Sequence, residues 1–267
     1  MKRYLRIYQG LLLVAIFGVW QVLAQPDLVP PFVWENPNRA SFFFGEPVKF
    51  LKVIWVWFTE GTIYQHLWVT LQETALAFVI GSVLGLVVGL WLGLSPTASA
   101  LFDPYITAMN AMPRVVLAPI FMVWFGLGIW SKVALGVTLG FFIVFFNVYQ
   151  GVKEVSPVVL SNTIMLGANR KQLLRHVYLP SATSWVFSSL HVSVGMAFVG
   201  AVVGEYLGSA KGVGYLIQQA EGAFDINTVF AGIFVLTAFA LVLDFAVAKA
   251  ERRLLVWRPT QGETEQL

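Results

Sequence analysis

No cysteine occurs in the 267-residue chain, which removes disulfide frameworks and thiolate metal sites from consideration. Charge is scarce as well: Asp, Glu, Lys and Arg make up 12% of the residues, against about 25% in a soluble domain. The three histidines, His66, His176 and His191, have no metal-ligand spacing such as H-E-x-x-H, and nothing supports hydrolytic or redox catalysis. GSAKGVG at 208–214 superficially resembles a phosphate cradle, but no Gly-Lys-Ser/Thr follows, so this chain is not expected to hydrolyse ATP or to hold a cofactor.

What the chain has in excess is apolar surface: 58% hydrophobic residues and a mean hydropathy of +0.74. Uncharged runs from Ile7 to Pro26, Thr74 to Phe102, Val133 to Val152 and His176 to Gly204 reach or exceed the roughly 20 residues of a bilayer span. Val115 to Ser131 and Ile226 to Leu243 complete spans with their flanks. The runs are continuous rather than alternating, which selects helices over a closed barrel. The expected fold is an all-α polytopic membrane bundle of about six helices, near 7–24, 67–94, 100–125, 130–151, 181–204 and 226–249.

The basic residues set an orientation. With the N-terminus inside, cytoplasmic segments hold Lys2, Arg3, Arg6, Lys153, Arg170, Lys171, Arg175, Lys249, Arg252, Arg253 and Arg258. External segments hold Arg39, Lys49, Lys52, Lys132 and Lys211. This follows the positive-inside bias and makes both termini cytoplasmic. The start, MKRYLR before an apolar run ending Val22-Leu23-Ala24, also fits a cleavable signal peptide, although the run is long for one. Residues 25–66 form a long external segment rich in Pro26, Pro30, Pro31, Pro37 and Pro47 and in aromatics from Phe32 to Phe58. That density suits the headgroup interface or an ordinary packed loop. The polar tail 259–267 is expected to be disordered.

Gly81, Gly85, Gly89 and Gly93, and again Gly200, Gly204 and Gly208, recur at four-residue spacing and so share one helical face. Small residues there let helices approach closely in lipid. Pro113 and Pro119 interrupt the third span, which should bend or break. Irregular backbone at membrane depth is tolerated where it lines a cavity or is buried in protein, so this helix is either pore-lining or kinked for packing. Arg114 follows the break and could attract an anion or pair with a neighbouring helix. His191 sits among Ser188, Ser189 and Ser193 and could bond to them, while Glu205 and Asp244 lie near span ends, where structural roles are expected. The residues expected along the pathway are Met109, Pro113, Arg114, Pro119, His191, Gly195, Met196 and Val199.

Between Lys153 and Pro180 the chain leaves the membrane for longer than a turn requires. Leu160, Ile164 and Gly167 share a helical face, and Leu173, Leu174 and Val177 make a second apolar stripe opposite Arg170, Lys171 and Arg175. Periodicity alone also fits an amphipathic helix on anionic lipid. Gly167, nine residues, then Val177-Tyr178-Leu179-Pro180 resembles the E-A-A-x3-G-x9-I-x-L-P loop of ABC importer permease subunits, with Ser161-Asn162-Thr163 in place of Glu-Ala-Ala. Pro113 to Gly128 resembles P-x5-P-x4-W-F-G-x-G of the nitrate/taurine/alkanesulfonate-type branch. Glu205-Tyr206-Leu207 with Gly212-Val213-Gly214-Tyr215-Leu216-Ile217 is similar to that branch's E-x-L…G-L-G-x-L-I, and Glu251 to Trp257 to its C-terminal end. His191 stands where these permeases often carry Arg.

The resemblance implies a type I ABC importer permease fold in a bacterial inner membrane. It implies an N-terminal helix and external segment (1–66), a permease core (67–258) containing the coupling loop 153–180, and the tail. Two permease copies would pair, each contacting one of two cytoplasmic ATPase subunits that bind ATP and Mg, and an external or periplasmic binding protein would deliver the substrate. The implied docking residues are Ser161, Asn162, Thr163, Ile164, Gly167, Ala168, Arg170, Leu179 and Pro180. The partners are these proteins and the lipid bilayer, with no nucleic acid. The alternative is an ion-coupled secondary transporter or channel. A secondary transporter would need carboxylates near the midplane and an internal repeat, and the spans are nearly free of carboxylates with no clear repeat. An intramembrane enzyme would need an acid to orient His191, which the sequence does not offer.

Overall fold

A computed structural model describes residues 2–25 and 38–254. The segment holding Pro26, Pro30, Pro31, Phe32, Trp34 and Pro37, and the expected polar tail 259–267, lie outside the described residues. So do the side chains of Ser188 and of Glu251 to Leu254, and the residues from Leu255 to Trp257.

The helices are α1 (Lys2–Ala24), α2 (Asn38–Phe44), α3 (Pro47–Glu60), α4 (Thr62–Leu94) and α5 (Pro96–Ala111), then a 3₁₀ turn (Arg114–Leu117) leading into α6 (Ala118–Phe125). They continue as α7 (Ile129–Lys153), α8 (Pro157–Met165), α9 (Arg170–Leu173), a π turn (Leu174–Tyr178), α10 (Leu179–Leu207), α11 (Val213–Gly222) and α12 (Ile226–Leu254). α1, α4, α7, α10 and α12 each contain a stretch long and apolar enough to cross a membrane, and the pair 96–111 and 114–125, bent by 88°, makes a sixth span if taken together. The break falls at Met112-Pro113. Pro119 causes no second break, because it lies in the first turn of α6, where its missing N–H has no helical partner to lose. α1 exposes Leu11, Leu12, Leu13 and Val14, each by 59–67%, as a lipid-facing helix does.

Two compact units share these helices, Met1–Val69 with Glu205–Ala238 and Thr70–Gly204 with Phe239–Leu267. In the first, Trp20, Phe50, Phe230 and Phe234 form an aromatic cluster joining α1, α3 and α12. Phe50 is fully buried and stacks on Phe234 at 4.7 Å. Glu205, also buried, accepts the Gly214 N–H at 2.7 Å and so caps α11 with negative charge. His66 reaches the same turn, its Nδ1 3.1 Å from the Gly212 nitrogen. Gly212 holds φ +105, and a Cβ there would overlap the Glu205 carboxyl. Gly212→Ala is therefore expected to destabilise the protein by at least about 2 kcal/mol, from backbone strain and a displaced buried carboxylate; a lowered thermal midpoint in detergent checks this.

In the second unit, α7 is the central helix, 13 of its 25 residues being buried. α4 lies along it by the first glycine ladder. A Cβ at Gly85 would stand 2.8 Å from the Phe141 carbonyl oxygen, and one at Gly89 or Gly93 would stand 2.9 Å from Val148 or Val152. α10 crosses α7 where Gly200 meets Gly136, with Ser193 donating to the Gly140 carbonyl at 3.3 Å.

Candidate docking loop and translocation residues

The loop between α7 and α10 is built from two short helices and one left-handed residue. α8 begins at Pro157, whose fixed φ suits a first turn. It ends in a paired-carbonyl cap: the Ala168 N–H donates to Thr163 O at 3.2 Å and the Gly167 N–H to Ile164 O at 2.9 Å. Gly167 adopts φ +83, as this cap requires. Asn169 then starts α9 with a reciprocal capping box, its side chain accepting the Gln172 N–H at 2.9 Å while Gln172 Oε1 accepts the Asn169 N–H at 2.8 Å.

From α9 the chain does not pause before the next span. Pro180 lacks an N–H and would crowd the carbonyl four residues earlier. The π turn 174–178 widens the helix ahead of it, with Leu179 donating to Leu174 O. Arg170 to Leu207 thus forms one helical path. Val177 is buried and Leu173 and Leu174 half-buried, with Arg170, Lys171 and Arg175 exposed, as the sequence stripe predicts. α8 buries nothing: Val158, Ile164, Met165 and Leu166 are 53–87% exposed. Ser161 and Asn162 are exposed, Thr163 and Ala168 half-buried, and Thr163 returns its hydroxyl to the Val159 carbonyl at 2.7 Å.

The loop's roots are fixed to the spans. Ser181 donates to the Gly151 carbonyl at 3.3 Å, and Trp185 lies so close to Gly151 that a Cβ there would come within 2.8 Å of its ring. Two residues before Gly151, Tyr149 shares a hydrogen bond with Ser99 in the first turn of α5, and the Lys153 ammonium sits 4.3 Å above the Tyr149 ring. The sequence reading missed Tyr149 and Ser99; neither carries a motif, and 50 residues separate them.

At the other end of α5, Arg114 is half-buried. Its Nη2 donates to the Asn110 side-chain oxygen and, at 3.3 Å, to the Asn110 carbonyl, and its guanidinium lies 4.3 Å over the Phe142 ring. Among the described residues its partners are an amide and an aromatic ring rather than a carboxylate, and its buried Nε has no protein acceptor. Met109 and Pro113 beside it are exposed. On α10, His191, Gly195 and Val199 fall on one face at spacing i, i+4, i+8, with Met196 at its edge; Ser193, Ala197 and Gly200 face the buried side. His191 Nε2 lies 3.0 Å from Asp244 Oδ1, while Ser193 bonds Gly140, so the structure pairs this histidine with an acid on α12. Lys132, counted by sequence among the external charges, is fully buried, donating to the Leu127 and Gly128 carbonyls of the turn between α6 and α7 at 2.5 and 3.0 Å.

A family model described as "Binding-protein-dependent transport system inner membrane component" matches residues 81–256. The formylaminopyrimidine transport permease protein ThiX of Halalkalibacterium halodurans is 32% identical over 232 residues, 86% of this chain and 92% of its own. The taurine transport system permease protein TauC of Escherichia coli (strain K12) is 30% identical over 246 residues, 92% of this chain and 87% of its own. A chain of the MetNI methionine ABC transporter, solved in inward-facing conformations, superposes with a TM-score of 0.63 at 17% identity, covering 72% of this chain and 95% of that one.

Proposed function

Because the chain belongs to the family of binding-protein-dependent transport system inner membrane components and is a multi-pass permease subunit of an ABC importer, we propose that it moves a small anion inward, driven through the loop 153–180 by a separate ATPase. The observation that carries this is the loop itself, an exposed apolar helix on a glycine turn whose roots are hydrogen-bonded to α10 and α5. In the proposed assembly two copies of this chain pair, each docked on one cytoplasmic ATPase subunit that binds ATP and Mg, and an external binding protein delivers the substrate. Both termini and the loop are then cytoplasmic, in keeping with the basic residues at 2–6, 153–175 and 249–258.

ATP binding biases two conformations through contacts that differ at the loop. Movement of α8 passes into α7 and α10 at Gly151, Ser181 and Trp185, and into α5 through Tyr149 and Ser99. α5 ends at the broken turn, so a push at the loop alters the angle at Met112-Pro113 and the position of Arg114. Arg114 suits an anion because no carboxylate among the described residues neutralises it, and the relative named for transport of taurine, a molecule that bears a sulfonate group, supports that substrate class. His191, Gly195, Met196 and Val199 would line the facing wall.

The test is ATP-dependent uptake by proteoliposomes holding this chain with its ATPase and binding protein. Uptake that persists without ATP and collapses with the ion gradient overturns the reading. Arg114→Ala is expected to raise the half-saturating substrate concentration about tenfold, the loss of one charge-assisted contact of roughly 1.5 kcal/mol, with assembly intact. Loss of assembly would make Arg114 a packing residue held against Phe142.

A further inference from the structure

We infer that α3 is an interfacial helix lying flat at the membrane surface, with its Val48–Leu51–Trp55–Phe58 stripe seated in phospholipid acyl chains and Lys49 and Lys52 at headgroup level. Both ends of α3 are tied to the same side of the bundle. At its start, the Glu46 N–H donates to Asn227 Oδ1 at 2.8 Å in the first turn of α12, and the Val48 N–H to Gln21 Oε1 at 3.0 Å near the end of α1. At its finish, Gly61 turns the chain at φ +79 directly into α4, whose His66 contacts Gly212. Gly212 and Asn227 bound the connection that carries α11 between α10 and α12. α3 therefore runs along that connection rather than through the bilayer, and its 14 residues, about 21 Å long, fall short of the ~30 Å hydrocarbon core.

Its surface divides into three faces at 3.6 residues per turn. Phe50, Val53, Ile54 and Trp57 are buried or half-buried against the unit. Beside them runs an apolar stripe left bare: Val48 64%, Leu51 52%, Trp55 70% and Phe58 40% exposed. The third face is polar, with Lys49, Lys52, Thr59 and Glu60, and carries Val56 as its one apolar side chain. A helix that meets protein on one side, hydrocarbon on the second and water on the third needs these three faces. An external protein docked on the stripe would have to lift tryptophan and phenylalanine out of lipid that the neighbouring α1 already occupies with its exposed leucines. Val48, at one end of the stripe, bonds Gln21 near the end of α1, where Val22 and Leu23 are likewise exposed, and aromatic anchors with nearby lysines suit the headgroup boundary.

The absence of cysteine makes the test direct. Trp55→Cys, Leu51→Cys and Lys52→Cys are made singly in the full chain, nitroxide-labelled and measured in phosphatidylethanolamine/phosphatidylglycerol nanodiscs without any binding protein. The labels at 51 and 55 are expected to be open to oxygen and shielded from a water-soluble nickel chelate, at about 5–10 Å below the phosphates, and the label at 52 open to nickel. Leu51→Cys carries the test if Trp55→Cys fails to fold. Nickel access at 51 and 55 equal to that at 52 overturns the inference, and so does shielding that arises only when the binding protein is added. Neither outcome bears on the ATPase-driven reading, which uptake tests separately.

Discussion

Gly167→Val is expected to reduce co-purification of the ATPase and ATP-driven uptake by at least tenfold while the chain still inserts and folds. Gly167 sits at φ +83 between two short helices, and its cap bonds fix where α8 ends and α9 begins. A β-branched residue is a steric outlier at positive φ, and left-handed backbone costs an L-residue about 1–2 kcal/mol. A tenfold shift needs only 1.4 kcal/mol, so a turn that relaxes to negative φ re-aims α8 enough to lose docking. Folding is spared because an added Cβ meets no atom within 4 Å and the loop helix buries no side chain. Gly167→Asn separates backbone from bulk: asparagine tolerates the left-handed region, and this variant should keep most of the association. Wild-type co-purification and uptake by Gly167→Val would remove the loop from the docking role.

The spans, the break after α5 and the loop could all be read from the sequence because each rests on local chemistry. An uncharged run longer than a bilayer, a proline that removes a donor, and a glycine followed at fixed spacing by Leu-Pro carry their meaning within a few turns of helix. What could not be read depends on neighbours distant in sequence. Lys132 stands at a span end, yet it is buried, with Gly204 of α10, 72 residues away, packed against its side chain. His191 sits among serines, and Asp244, a further partner, comes from 53 residues away on α12. Residues 25–66 showed aromatic density without showing that Pro47–Glu60 is a helix, since its three-faced pattern fits neither a simple amphipathic stripe nor an apolar run. The π turn before Pro180 answers a proline whose local meaning was a helix start; joined to α9, it extends the span into the loop.

That continuity gives the second large effect its meaning, because it makes α10 a single rod from the loop to the far side of α7. Gly200→Val is expected to prevent recovery of folded protein, whereas Gly195→Val, five residues away on the same helix, should leave yield and thermal midpoint near wild type. A Cβ at Gly200 would stand 2.5 Å from the Gly136 Cα and 2.8 Å from its nitrogen, both backbone atoms of the central helix that cannot rotate aside. Overpacking a well-packed interior costs about 1–3 kcal/mol when side chains can yield; here the helices themselves must separate, with loss of close packing that lipid does not replace. Gly195 has open space where its Cβ would be and shares a face with His191 and Val199, so a valine there meets what passes along or covers that face. If the face lines the pathway, Gly195→Val lowers uptake with assembly intact. Unchanged uptake places the face against lipid, and loss of folded Gly195→Val protein would show that a second copy packs there as tightly as α7 packs at Gly200.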